Sequence, residues 1–172
     1  MLFRSSGIPV NDLCKAKFVG LKRCHLYRYV IFKINDDNKE IIVDHRYRTK
    51  KASSDASETE AVTEGDDREN TSNMDFETQS QEKIFTDFVA RLPEDQCRYA
   101  VFDVEYAKGD VVSNKIVFIS YSPDTAKIKP KMLYSASKDA LTKVLDGIHE
   151  SIQINDPDDL TLEHVQEKLL RV

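Results

Sequence analysis

Apolar residues recur at Val10, Leu13, Cys14, Phe18 and Leu21, close to helical spacing, and predict a helix from Pro9 to about Leu21. Pro9 suits the first helical turn, where a missing N–H costs nothing. The aromatic and β-branched run "LYRYVIFKI" (26–34) reads as a strand. "NDDNK" turns it into "EIIVDHR" (40–46), a second strand of a hairpin. In "KIFTDFVARL" (83–92), residues Ile84, Phe85, Phe88, Val89 and Leu92 share one helical face, and Pro93 stops the helix. "CRYAVFDVEY" (97–106) and "KIVFISYS" (115–122) are apolar enough for interior strands, joined by "AKGDVVSN". "SPDTA" leads into a long helix, amphipathic from Met132 and running to about Asp146, before Gly147. "IHESIQIN" is a short helix or strand, and Asp156-Pro157 breaks the chain again. Thr161 then caps "LEHVQEKLLRV", whose Leu162, Val165 and Leu169 form a stripe. Helices interspersed with strand pairs imply an α/β (α+β) fold: one mixed sheet of about five strands with helices on both faces.

One segment does not fit that rhythm. Residues 52–83 hold ten acids, two bases and nine Ser/Thr, a charge of −8, whereas the rest of the chain carries 23 bases against 20 acids. The overall charge of −5 therefore hides a mildly basic body with one acidic stretch. Few apolar residues mark that stretch as a disordered insertion, at about 50–82, interrupting a single domain that spans 1–172. It reads either as a solvated spacer or as a phosphoregulated, partner-binding loop. No apolar run reaches the ~18–20 residues that span a bilayer. "MLFRSSGIPV" lacks the apolar stretch of a secretory signal. Cys14, Cys24 and Cys97 are odd in number and widely spaced in apolar surroundings, which predicts buried thiols in a reducing compartment, with the cytoplasm as the default.

Converging chemistry is scarce. The five glycines are too scattered to cradle a phosphate, and the four histidines have no metal-ligand spacing with each other or with cysteine. No nucleophile elbow appears. Asp103 and Glu105 share a strand face, which suits acid–base work but more commonly a solvated or hydrogen-bonded face. The basic residues are few and lack stacking aromatics, which argues against nucleic acid. "HRYRTKK" (45–51) reads as the basic edge of a loop, or as a localisation signal.

What remains is surface, above all "KIKPKMLYSASKDAL" (127–141). With Lys131 at zero and 100° per residue, Ser135, Lys138 and Thr142 fall within about 40° of it, a polar stripe. Leu133, Ala136, Ala140, Leu141, Val144 and Ile148 cluster at about 140–280°, the predicted core face, with Met132 near 100° at its border. Lys127, Lys129 and Lys131 crowd a helix N-terminus, where cations oppose the dipole. A solvated face accounts for the stripe; a docking edge for an acidic groove accounts also for the crowding and the adaptable Met132. Lys168 and Arg171, three apart on the last helix, agree with its dipole and leave both readings open.

Taken together, "KMLYSASKDAL", "KIVFISYSPDTA", "LPEDQCRYAVFDVEY", "YRYVIFKIND" and "SSGIPV" resemble, in order, segments of the actin-depolymerising factor/cofilin family over roughly four-fifths of the chain. The resemblance implies a small non-enzymatic, monomeric protein without a cofactor. It binds monomeric and filamentous actin, prefers ADP-bound subunits, and severs and depolymerises filaments in the cytoplasm, at the actin cytoskeleton, and in the nucleus. By position, Ser6, Gly7 and Ile8 match the family's N-terminal contact peptide, and Ser6 its inactivating phosphorylation site. Lys129, Lys131 and Met132 match the helix residues that enter the actin cleft, extended by Lys138, Asp139 and Lys143. Lys115, Glu167, Lys168 and Arg171 match a second surface used only on filaments. The helix lysines overlap the family's phosphoinositide-binding region, and other actin-turnover proteins are expected partners.

Four departures qualify the resemblance. Tyr121 stands where many members have Trp, and Pro130 replaces a small polar residue between the contact lysines. Ser113 stands where a basic residue often accompanies the one at Lys115, and the acidic insertion is absent from typical members. Two other readings follow the same fold: a related domain that debranches filaments through the branching complex, and a phosphoinositide-responsive adaptor with weak actin activity.

Overall fold

The structure is a computed structural model describing residues 8–49 and 80–171. The acidic stretch up to residue 79, with Ser6 and Gly7, lies outside these residues.

Runs of alternating or continuous apolar residues become five strands: β1 (Tyr27–Ile34), β2 (Ile41–Arg48), β3 (Arg98–Lys108), β4 (Val111–Tyr121) and β5 (Glu150–Ile154). Amphipathic stretches become four helices: α1 (Asp12–Cys24), α2 (Gln81–Ala90), α3 (Ile128–Val144) and α4 (Leu162–Leu170), with a 3-10 turn at Pro157–Asp159. The sheet order is β2-β1-β3-β4-β5. All neighbours pair antiparallel except β4 and β5, which are parallel because α3 carries the chain back across the sheet. "IHESIQIN" is thus resolved as a strand.

Alternation along the strands builds two cores. Tyr29, Ile31, Phe102, Val104, Val117 and Ile119 face α2 and α4, meeting Phe85, Phe88, Val165 and Leu169. Val30, Phe32, Val101, Ile116 and Phe118 face α1 and α3, meeting Cys14, Phe18, Leu21, Leu141 and Leu145. Tyr121 is buried in the first core as an aromatic filler. Rings of Tyr29, Phe85, Phe88 and Phe102 pack with centroids 5.2–5.8 Å apart, each such pair adding about 0.5–1.5 kcal/mol beyond its buried area.

Several boundaries differ from the pattern. α1 begins at Asp12, capped by the Asn11 side chain, which accepts the Leu13 N–H. Pro9 lies before the helix, its carbonyl accepting the Ile41 N–H at 2.9 Å while Asn11 N–H donates to Ile41 O. The free edge of β2 satisfies this backbone, and Leu13, about 100° round the helix from Cys14 and away from the face that Cys14, Phe18 and Leu21 bury, points outward and is 51% exposed. α2 starts at Gln81, so the last residues of the acidic stretch are helical, with Glu82 in the first turn where the dipole favours an acid. β3 and β4 absorb most of "AKGDVVSN", leaving only Gly109 and Asp110 between them, with Gly109 at φ +64°. Cys14 and Cys97 are buried, but Cys24 is exposed at the end of α1. Among the described residues, no helix is long and apolar enough to cross a membrane.

Candidate functional site

β4 ends at Tyr121, and the turn through Ala126 is fixed before α3 starts. Ser122 N–H donates to Ile154 O (2.8 Å), Asp124 N–H to Asn155 O (3.1 Å) and the Thr125 hydroxyl to Glu94 O (2.5 Å). Ile128 is the first residue of α3, so the helix begins four residues earlier than its apolar pattern, and the lysines sit inside its first turn and just before it. Pro130 is its third residue, among the N–H positions that have no partner within a helix, so the proline removes no helical bond there. Among the described helices, α3 alone has neither a side-chain cap nor an acid in its first turn. Asn11 caps α1, Thr161 caps α4 by accepting the His164 N–H, and α2 has Glu82. This N-terminus carries positive charge that the helix itself does not need.

The helix is also rotated from the predicted orientation. Leu133, Tyr134, Ser137, Leu141 and Leu145 face the core, near 200–320° on the wheel, so Leu133 and Leu141 point inward as predicted but the face is turned by about 50° from the apolar cluster. Ala136, predicted inward, is exposed, and Ser137 is fully buried in its place. The cause is Tyr134, whose large ring packs on Tyr99 at 4.9 Å and outweighs two alanines. Met132 consequently moves from the border to the middle of the outward face, 67% exposed. Ile128, one turn earlier and 76% exposed, joins it; the helical pattern starting at Met132 left this residue out. Lys127, Lys129, Asp139 and Lys143 are exposed around them, while Lys131 and Lys138 are half-buried at the flank. Lys131 Nζ lies 3.7 Å from Asp124 Oδ1, an acid that is 84% exposed. An open groove runs beside this edge, lined by Ser122, Lys131, Met132, Ala136 and Gln153.

The second predicted set lies on the other side of the sheet. Lys115 shares a sheet face with Val117 and Ile119, the face that α2 and α4 cover, and its Nζ sits 5.4 Å over the Tyr106 ring. Glu167, Lys168 and Arg171 are exposed on and just after α4, which Gln166 ties to β3 by donating to Glu105 O at 3.0 Å. Ser113 is half-buried two residues before Lys115, and Val111 and Val112 at the hairpin tip are exposed. Ile8 differs in character from the other candidates: its side chain is buried in the α1/α3 core.

Asp103 and Glu105 do not form a carboxylate pair. Asp103 is buried and accepts from Asn114 Nδ2, with His25 Nδ1 also at 3.3 Å, while Glu105 is exposed. Burial raises the Cys97 thiol pKa, as for an inert core cysteine. Among the described residues no cluster of three or more His, Cys, Asp or Glu could hold a metal.

Comparison with known proteins bears on the fold and the family. The family model of cofilin/tropomyosin-type actin-binding proteins matches residues 45–170. Cofilin of Mycosarcoma maydis is 39% identical over 97% of both chains. The actin-depolymerizing factor of Vitis vinifera is 35% identical, covering 95% of this chain and 93% of its own. The crystal structure of actin depolymerization factor 2 from Plasmodium berghei covers the whole of both chains with a TM-score of 0.74 and 29% identity. The sheet order, the helix positions and these matches together make the chain a member of the actin-depolymerising factor/cofilin family.

Proposed function

We propose that the chain binds actin, as monomer and as filament, and promotes filament turnover by severing and depolymerising, with a preference for ADP-bound subunits. The observation that carries the reading is the α3 N-terminus: without a side-chain cap among the described residues, loaded with cations that oppose its dipole, and centred on the exposed Ile128 and Met132. Ile128 and Met132 enter an apolar cleft of the monomer, and Lys129 and Lys131 meet its acidic rim. Ser6, Gly7 and Ile8 contribute from the N-terminal peptide, and Lys138, Asp139 and Lys143 extend the same surface along α3. Phosphorylation of Ser6 weakens the contact by adding negative charge.

Lys115, Glu167, Lys168 and Arg171 engage a second subunit, present only in the filament. Because the two surfaces lie on opposite faces of one sheet, both engage only in filament geometries that fit their separation. Differential affinity then shifts the filament toward that geometry, and strain gathers where decorated and bare stretches meet. Severing needs strain alone, so the proposal includes no catalysis. Phosphoinositide headgroups compete for the α3 lysines. The protein acts as a monomer at the cytoplasmic actin cytoskeleton and also in the nucleus.

The test compares two double variants. Lys129→Ala with Lys131→Ala is expected to weaken monomer binding and filament co-sedimentation together. Lys168→Ala with Arg171→Ala is expected to weaken co-sedimentation and leave monomer binding near wild type. Equal losses in both assays for the second pair would refute the two-surface assignment.

A further inference from the structure

The α3 edge that carries Lys129, Lys131 and Met132 has few ties to the body of the protein. Among the described residues no side chain caps it, and the ion pair of Lys131 uses an acid that is largely in water. Ser137 and Leu141 are the fully buried side chains of α3. Two residues beyond Met132, however, the helix is pinned to the sheet at two polar points, both made by Tyr134.

The first point is the end of β1. Pairing of β1 with β3 runs from Tyr29↔Phe102 to Phe32↔Tyr99, so Ile34 extends past its strand partner. Its neighbour Asn35 directs its N–H the other way, to Glu40 O across the β1–β2 turn. Ile34 therefore presents its N–H on the side β3 has left, where the Tyr134 hydroxyl accepts it at 2.9 Å. The second point is the Tyr134 backbone carbonyl, which accepts the Tyr99 hydroxyl from β3. The Tyr99 and Tyr134 rings pack between the two points.

We infer that Tyr134, braced by Tyr99, is the positioning residue of the α3 binding edge: it stands in for the missing strand at Ile34 and thereby sets where Lys129, Lys131 and Met132 sit against the partner. Tyr134 touches no partner; it acts through the helix it anchors. This inference rests on the actin-binding reading of α3.

Tyr134→Phe tests it by deleting the hydroxyl while keeping the ring and the carbonyl that Tyr99 uses. Hydrogen exchange of the Ile34 amide should accelerate. Affinity for monomeric actin should fall between about twofold and tenfold, the range set by the net worth of one hydrogen bond. The deciding measurement is a cycle at a temperature far below unfolding. In the Lys129→Ala, Lys131→Ala background, Tyr134→Phe should cost a smaller fold-loss than in wild type, because two of the three groups it positions are gone. Tyr99→Phe, which removes the other point, should behave in the same way and covers the case in which Tyr134→Phe does not fold. Wild-type affinity in Tyr134→Phe, or the same fold-loss in both backgrounds, would overturn the positioning role and leave the α3 site standing. An unaltered affinity in the lysine double variant itself would remove the α3 site, and the inference with it.

Discussion

Replacing Lys129 by alanine separates what the α3 N-terminus does for the fold from what it does for binding, because the two effects carry opposite signs. Lys129 is exposed in the first turn of α3 and makes no ion pair among the described residues, unlike Lys131 with Asp124. A cation in that turn opposes the helix dipole by about 0.3–1 kcal/mol, and alanine is at least as good a helix former as lysine. The variant should therefore be more stable by about that amount, raising Tm by roughly 1–3 °C for a chain of this size. Lys131→Ala makes a weaker probe, since loss of its exposed pair with Asp124, worth about 0–1 kcal/mol, offsets the dipole gain. Binding should move the other way. A charge that pairs within an interface is commonly worth about 2–5 kcal/mol when truncated, at least tenfold in Kd. Urea unfolding gives the first quantity and titration of labelled monomeric actin the second, with low salt sharpening both. A less stable Lys129→Ala would refute the claim that this lysine opposes the fold. Unchanged affinity would refute its placement in the contact.

Two further outcomes test the scaffold. Gly147 has φ +102°, and an added Cβ would lie 2.3 Å from Lys22 Nζ, which donates to Asp146 O at the end of α3. Gly147→Ala should cost about 1–3 kcal/mol by urea unfolding, and a neutral substitution would show that the turn relaxes freely. Burial pushes the Cys14 thiol from 9.0 up to about 12, so the folded state holds a proton that the unfolded state gives up. Stability from this group is complete below about pH 9 and declines by about 1.4 kcal/mol per pH unit above it, until the folded pKa is reached. Urea midpoints across that window should fall less steeply in Cys14→Ala; an identical slope would place the alkaline loss elsewhere.

The element order was legible because each element writes its burial into a local period. Val165 and Leu169 are buried and Leu162 half-buried, as the stripe requires, and Thr161 caps α4 from the position its side chain suggests. The lysines at the start of α3 were legible as a conflict with the dipole, a rule that needs no tertiary information. The family resemblance, carried by long runs of residues in order, supplied the candidate partner and the second surface, which periodicity alone left ambiguous.

Other features answer to contacts between distant residues. Which way α3 faces depends on a tyrosine finding Tyr99 and Ile34, 35 and 100 residues away, so a wheel that counts only aliphatic side chains points it about 50° astray. The length of β3 and β4 depends on their pairing with each other, which draws polar residues into strands. The start of α1 depends on the edge of β2, which takes up the backbone around Pro9. The sequence by itself determined which segments become helix or strand, because backbone propensity and amphipathic period are local. The tertiary structure alone decided how α3 turns and what anchors it, and set Lys129 and Lys168 on helices covering opposite faces of the sheet. Those are choices among packings of the same segments, made by side chains far apart in the chain.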